Sequence, residues 1–196
     1  MVLDALQAGG TDPAQLVVTD GDPAKHGARM LGVPVQCPAV GPAMAGAQFH
    51  VAIGDGALRA RLHAELMALG ARPLRVVHPR AVVSPHATLG EAVMIAACAV
   101  IGPGALVGDG AIVNHGAVVD HDCTVGAFAH IAPNATLGGG VTVGAGALIG
   151  AGANLLPGVS VGQQATIGAG AAVRGNVTVG QTWCGVPAKF LTRERK

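Results

Sequence analysis

Residues 137–173 read LGGGVTVGAGALIGAGANLLPGVSVGQQATIGAGAAV, and an aliphatic side chain returns at every sixth place: Leu137, Val143, Ile149, Leu155, Val161, Ile167 and Val173. Stepping outward by six, the series runs back to Val83 and on to Val179, and all seventeen positions are Val, Ile or Leu. The residue two places earlier is always Ala, Val or Cys, as at Ala81, Cys123 and Val177. Gly often follows the aliphatic residue, as at Gly102, Gly126, Gly144 and Gly168. A period of six fits neither a helix nor an uninterrupted strand, whose side chains repeat near 3.6 and 2. It fits a short strand with two inward side chains, followed by a turn. Gly is expected to supply backbone angles at the corner that other residues resist. Three sides close one triangular coil, so residues eighteen apart stack between coils about 4.8 Å apart. The reading is a parallel β-helix from about Val83 to Val179.

The composition agrees. Apolar residues make up 51% of the 196, yet only three Phe and one Trp are aromatic, so the core must be filled by regular stacking of small side chains. A formal net charge of +1 provides no footprint for nucleic acid. Cys37, Cys98, Cys123 and Cys184 are scattered without a CxxC pair, which argues against a disulfide framework or structural zinc. No basic start followed by an apolar run marks a signal peptide, and no apolar stretch reaches membrane-spanning length. The expectation is a soluble chain in a reducing cytoplasm.

Residues 1–76 alternate differently. Val2–Leu6 and Ala57–Leu69 have helical spacing; Gln15–Thr19, Phe49–Ile53 and Leu74–Val77 read as strands. Such alternation predicts a small parallel α/β unit. Ligands of such sheets sit beyond the carboxyl ends of the strands, where Asp20 and Gly54-Asp55-Gly56 fall. These residues suit a nucleotide pocket and ordinary turns equally.

Eight His are present. His26, His50, His63, His78 and His86 have no acidic neighbour in sequence and are expected to be solvated or in turns. His121 differs: it follows the inward Val119 by two places, projects from a turn, and is flanked by Asp120 and Asp122. A carboxylate beside imidazole raises its basicity and selects its tautomer. A His-Asp turn on a surface is by itself usually inert. Gly139 lies eighteen residues after His121, at the same corner one coil on, where it leaves room for a thioester and offers an N–H to an oxyanion.

The run Asn114-His115-Gly116-Ala117-Val118-Val119-Asp120-His121-Asp122-Cys123, then His130-Ile131-Ala132-Pro133, then Leu137-Gly138-Gly139-Gly140-Val141 and the closing Gly185-Val186-Pro187-Ala188-Lys189 resemble the hexapeptide-repeat acyltransferases. Within them the chain is similar to the sialic-acid, bacillosamine and perosamine branch, as Val51-Ala52-Ile53-Gly54-Asp55, Leu58-Arg59 and His78-Pro79 also suggest. The resemblance implies a mainly β chain: a left-handed β-helix over 77–182, a Rossmann-like nucleotide-sugar unit over 1–76 and a tail over 183–196. It implies a homotrimer with sites between subunits, acetyl-CoA as co-substrate and no metal. His121 is then the general base and Asp122 its partner. His130, Ala151, Ala169 and Lys189 face the cofactor, and Asp20, Gly54, Asn114 and His115 face the sugar substrate. The implied acceptor is the amine of a UDP- or GDP-linked 4-amino sugar, with sialic acid O-acetylation as the alternative. One departure stands out. Members begin with a strand and a His-bearing glycine-rich loop, whereas this chain starts inside the helix that should follow, which leaves an expected open sheet edge. Two rival classes use the same fold: a zinc carbonic-anhydrase type, for which His115, His121 and His130 are the candidates, and a non-catalytic scaffold. Against zinc, His115 and His121 are one hexad apart and so occupy successive corners.

Overall fold

A computed structural model describes residues 1–191; the basic tail residues Arg193, Arg195 and Lys196 lie outside the described residues. Two-residue strands stack in three sheets that form the sides of a prism. One sheet carries six strands, from Val82–Val83 to Ala172–Val173; one carries five, from Thr88–Leu89 to Ser160–Val161. The third begins at Val76–Val77, runs parallel to Thr166–Ile167, and ends in Thr182–Cys184 paired antiparallel with Lys189–Phe190. Val100 pairs with Val118 and Val118 with Thr136, so the register is eighteen residues per coil. The inward series is buried throughout the middle coils, with Ile131, Leu137 and Ile149 at 0% exposure and the alternating Ala129, Ala135 and Ala147 at 0–1%. The residues between them face out, which is the period-two alternation of a strand confined to one short side.

Two expectations are corrected. Gly102, Gly126, Gly144 and Gly168 do not serve the corner by unusual angles, since none has a positive φ. They are required because the next coil passes too close: a Cβ at Gly144 would lie 2.4 Å from the Gln163 nitrogen, and one at Gly126 would lie 2.5 Å from that of Ala145. The left-handed backbone falls two residues later, for example at Gly146 (φ 67) and, without glycine, at Asp122 (φ 58). The series also ends early. Val161 bridges Val177 and Ile167 pairs with Trp183, sixteen residues on rather than eighteen. Arg174-Gly175-Asn176 makes a shorter corner, with the Asn176 Oδ1 accepting from the Ser160 N–H at 2.9 Å. Val177 is therefore buried (3%) and Val179 exposed (62%).

The N-terminal segment holds α1 (Val2–Ala8) and α2 (Gly56–Ala68) with strands β1 (Val18–Thr19), β2 (Arg29–Met30), β3 (Val33–Gln36), β4 (Gln48–Phe49) and β5 (Arg72–Pro73). The expected single parallel sheet is instead two: β1-β3-β2, in which β2 runs antiparallel, and a parallel β4-β5 pair. β1 and β4 each have one strand neighbour, and Val17 beside β1 is 61% exposed. Pro13 starts a 3-10 turn capped by Asp12, which shortens the predicted Gln15–Thr19 strand to its last two residues. The predicted Leu74–Val77 strand is shortened to Val76–Val77, which belongs to the first coil, and the separate strand Arg72–Pro73 before it pairs with β4. α1 packs Ala5 against Val76, Met94, Ala96 and Ile112 on the third sheet. α2 packs Leu62 and Leu66 with Phe49, Val51, Ile53 and Ala71.

Candidate active site

The corner after Val119 joins the six-stranded sheet to the five-stranded one and carries Asp120, His121 and Asp122 outward. His121 Nδ1 lies 2.8 Å from Asp122 Oδ2, and Asp120 Oδ1 accepts the His121 N–H at 2.7 Å. The hydrogen bond to Asp122, aided by the charge of Asp120, raises the His121 pKa; partial desolvation opposes this. Asp122 occupies a left-handed corner position that glycine fills in most other coils. Asp tolerates this conformation better than most residues, and here it turns the carboxylate toward the preceding ring.

Gly139 stands one coil on, with the Gly140 N–H bonded to the His121 carbonyl at 2.9 Å. The room at Gly139 is filled by the His121 ring itself: a Cβ there would lie 2.4 Å from Nε2 and 2.5 Å from Cε1. Because Nδ1 faces a carboxylate, the neutral ring carries its proton on Nδ1 and a lone pair on Nε2, against Gly139. Among the described residues the Gly139 N–H has no acceptor. The same corner holds Pro103 one coil before His121 and Pro157 one coil after Gly139, so its N–H takes no part in the coil ladder.

A second cluster forms around His130, on the third sheet. Its Nδ1 lies 3.3 Å from the Gly54 carbonyl and its Nε2 3.1 Å from Asn114 Nδ2. Burial lowers its pKa, against the Gly54 hydrogen bond and with help from the charge of Arg59. His130 borders an open groove of about 580 Å³, shared with Gly54, Asp55, Gly146, Leu148 and Gln164. Asn114 Oδ1 accepts the His115 N–H at 2.8 Å. His115, Pro133, Ala151 and Ala169 stack along the next edge, linked by Asn134 N–H to His115, Gly152 N–H to Pro133 and Gly170 N–H to Ala151.

The remaining predicted residues fall elsewhere. Asp20 is held by Lys25 at 2.8 Å and by the Asp22 N–H; the Lys25 hydrogen bond comes first among the causes that lower its pKa. Asp55 caps α2 by accepting the Leu58 N–H at 2.8 Å. Asp20 directly follows β1, whereas Gly54 lies in the loop between β4 and α2, and the carboxylates of Asp20 and Asp55 serve local turn and cap chemistry. Lys189 is exposed in the last hairpin opposite Cys184. Among the described residues, no three His, Cys, Asp or Glu side chains converge as a metal site.

Of the histidines expected to be solvated or in turns, one is buried and another partly buried. His78 is 6% exposed and 3.6 Å from Asp4 of α1, an acid distant in sequence. His50 bonds through Nδ1 to the Leu74 carbonyl, and burial lowers its pKa. Sequence reading named Arg59 only as part of the resemblance and gave it no role; it is 2% exposed, and its guanidinium donates to the carbonyls of Gly110, Ile53, Gly54, Phe128 and Ala129. The signal was available: Arg59 shares the α2 face of Leu62 and Leu66, at i, i+3 and i+7.

Stacked hexads with an outward His–carboxylate pair seated on a glycine corner define the class, a hexapeptide-repeat transferase. The family described as bacterial transferase hexapeptide (six repeats) matches residues 122–157 and 140–175. The structure of PerB from Caulobacter crescentus, in complex with CoA and GDP-perosamine, is 38% identical with a TM-score of 0.89, covering 97% of this chain and 91% of that one. The acetyltransferase domain of PglB from Neisseria gonorrhoeae, in complex with acetyl coenzyme A, is 34% identical with a TM-score of 0.87, over 97% and 93%. WeeI from Acinetobacter baumannii is 25% identical with a TM-score of 0.86, over 96% and 92%. Among curated proteins no match is found. The chain belongs to the hexapeptide-repeat sugar acetyltransferases of the perosamine and bacillosamine type and is an acyltransferase.

Proposed function

We propose that the protein transfers the acetyl group of acetyl-CoA to the amine of a nucleotide-linked 4-amino sugar by direct attack on the thioester. The observation that carries this reading is the His121 ring, held at Nδ1 by Asp122 with its Nε2 lone pair outward over Gly139. The neutral amine attacks the thioester carbonyl while His121 Nε2 takes its proton. The unpartnered Gly139 N–H stabilises the oxyanion. Collapse expels the CoA thiolate, which recovers the proton, and leaves an amide on the sugar. The CoA- and GDP-perosamine-bound relative supports both substrate classes.

His130 and the edge of Ala151 and Ala169 hold the cofactor in this reading, and Asn114, His115 and Gly54 meet the sugar. His121 projects from the corner opposite the third sheet, which bears His130, so one chain does not bring base and groove together. A homotrimer of left-handed prisms supplies each groove with a neighbour's His121. The outward stripe of Val82, 63% exposed, and the partly exposed Val100 and Val118 on the six-stranded sheet supports such burial. Among the described residues no helix is long and apolar enough to cross a membrane, and four free cysteines suit the cytoplasm.

The test is CoA thiol release with GDP-perosamine and with UDP-linked 4-amino sugars, comparing the native protein with His121→Ala. Loss of at least a hundredfold in kcat is expected, as for a positioned general base. Equal rates refute the base assignment, and turnover of sialic acid alone would move the acceptor to a hydroxyl.

A further inference from the structure

We propose that Arg59 is a positioning residue of this acyl-transfer site: by gripping the Gly54 carbonyl it holds His130 as the Nδ1–H tautomer and thereby orients Asn114 and His115. This inference rests on the reading above for its consequence, though its geometry stands apart from it. A guanidinium has five N–H donors in a rigid fork. All five are engaged by main-chain carbonyls, with distances from 2.6 to 3.2 Å. Two of these carbonyls belong to the loop before α2 and three to two adjacent coils, so the side chain clamps the N-terminal segment onto the prism. No carboxylate bonds to it; burial pulls its pKa down to about 10, partly offset by the charge of Asp55. Lys has three donors on a point charge and cannot reproduce that fork.

The clamp continues into the site. Gly54 O receives Arg59 Nη1 at 3.0 Å and His130 Nδ1 at 3.3 Å. A carbonyl only accepts, so Nδ1 must carry the proton and the neutral ring presents a lone pair at Nε2. Asn114 answers with Nδ2 at 3.1 Å. Its amide orientation is checked independently, because Asn114 Oδ1 accepts the His115 N–H at 2.8 Å. The relay therefore runs from Arg59 through the Gly54 carbonyl, the His130 ring and the Asn114 amide to the His115 backbone. Both His130 nitrogens are occupied, so His130 orients and does not exchange protons. His115 lies on the edge that continues to Ala151 and Ala169. Arg59, buried beneath the groove, thus sets the cofactor edge without touching it.

The test uses the full-length protein, native and as Arg59→Lys and Arg59→Gln. Ring nitrogen shifts of His130 are read by long-range ¹H–¹⁵N correlation, and CoA affinity by calorimetry. In the native protein a single Nδ1–H tautomer at neutral pH is expected; an Nε2–H or charged ring overturns the proposal without any variant. In Arg59→Lys, which retains the charge, the tautomers become mixed and CoA affinity falls about tenfold or more, by analogy with a metal-bound His that loses the partner orienting it. A folded Arg59→Lys protein with native His130 shifts and native CoA affinity also overturns it. Should Arg59→Gln fail to fold, the native and Lys measurements decide. If the tautomer shifts as expected but no acetyl transfer occurs with any amino sugar, the relay stands and the reaction assignment fails. If transfer proceeds through His121 while the tautomer is unmoved, the reverse holds.

Discussion

Replacing Gly139 with Ala places a methyl group where the His121 ring now rests. The new carbon would lie 2.4 Å from Nε2, 2.5 Å from Cε1 and 3.1 Å from Cδ2. Ordinary contact needs about 3.5 Å, so the ring must retreat by roughly 1 Å. Gly139 has no positive φ, so Ala meets no backbone strain. Reduced freedom of the unfolded chain even favours the variant by about 0.4–1 kcal/mol. The His121 side chain is 58% exposed and can swing into solvent without disturbing the core. Swinging stretches the 2.8 Å contact to Asp122 and moves Nε2 away from the Gly139 corner. A misplacement of about 1 Å can cost on the order of 10²-fold in rate. The expected result is an unchanged or slightly higher melting temperature, kcat lower by about that factor, and a His121 titration that shifts down. Ala keeps the backbone N–H, so the loss reports the seat of the ring and not the oxyanion donor. Native kcat in a folded Gly139→Ala protein refutes the reasoning.

Asp122→Asn removes the leading cause of the raised His121 pKa, so the titration midpoint falls and the acid limb of the kcat/KM profile moves to lower pH. The linkage has a definite sign. The contact favours protonated His121 in the folded chain, so its stabilisation is present at low pH and is lost as pH rises through the raised midpoint. Histidine NMR titration beside the rate profile checks both; an unmoved limb counts against Asp122 as the partner. The shortened last corner makes a separate prediction. Val177→Ala costs about 2 kcal/mol of buried methyl surface. Val179→Ala, at an exposed position, stays within about 0.5 kcal/mol. Denaturant midpoints distinguish them, and equal costs would restore the eighteen-residue register at Val179.

Legibility followed the sequence separation of the contacts. The coils were readable because every stacking contact lies eighteen residues away, so one pattern repeated from Val83 to Val173 states the whole prism. His121 and Asp122 were readable because they are adjacent at a corner, and Gly139 because it is one coil on. The same rule misjudged the glycines. Stepping by six shows where Gly144 recurs but not that the Gln163 backbone presses on it. It also misjudged Val179, since an apolar residue in phase says nothing about a corner that has become two residues shorter. The joint between the two parts obeys no period. Arg59 reaches Gly110, Phe128 and Ala129 across separations of 51, 69 and 70 residues, and Asp4 approaches His78 from another element. Only the helical face of Arg59, Leu62 and Leu66 carried a trace, because an arginine on an apolar stripe must find acceptors inside. The proposed catalytic corner therefore belongs to the repeat and is written locally. The setting of the groove belongs to the joint, where a single side chain joins five carbonyls that the sequence keeps far apart.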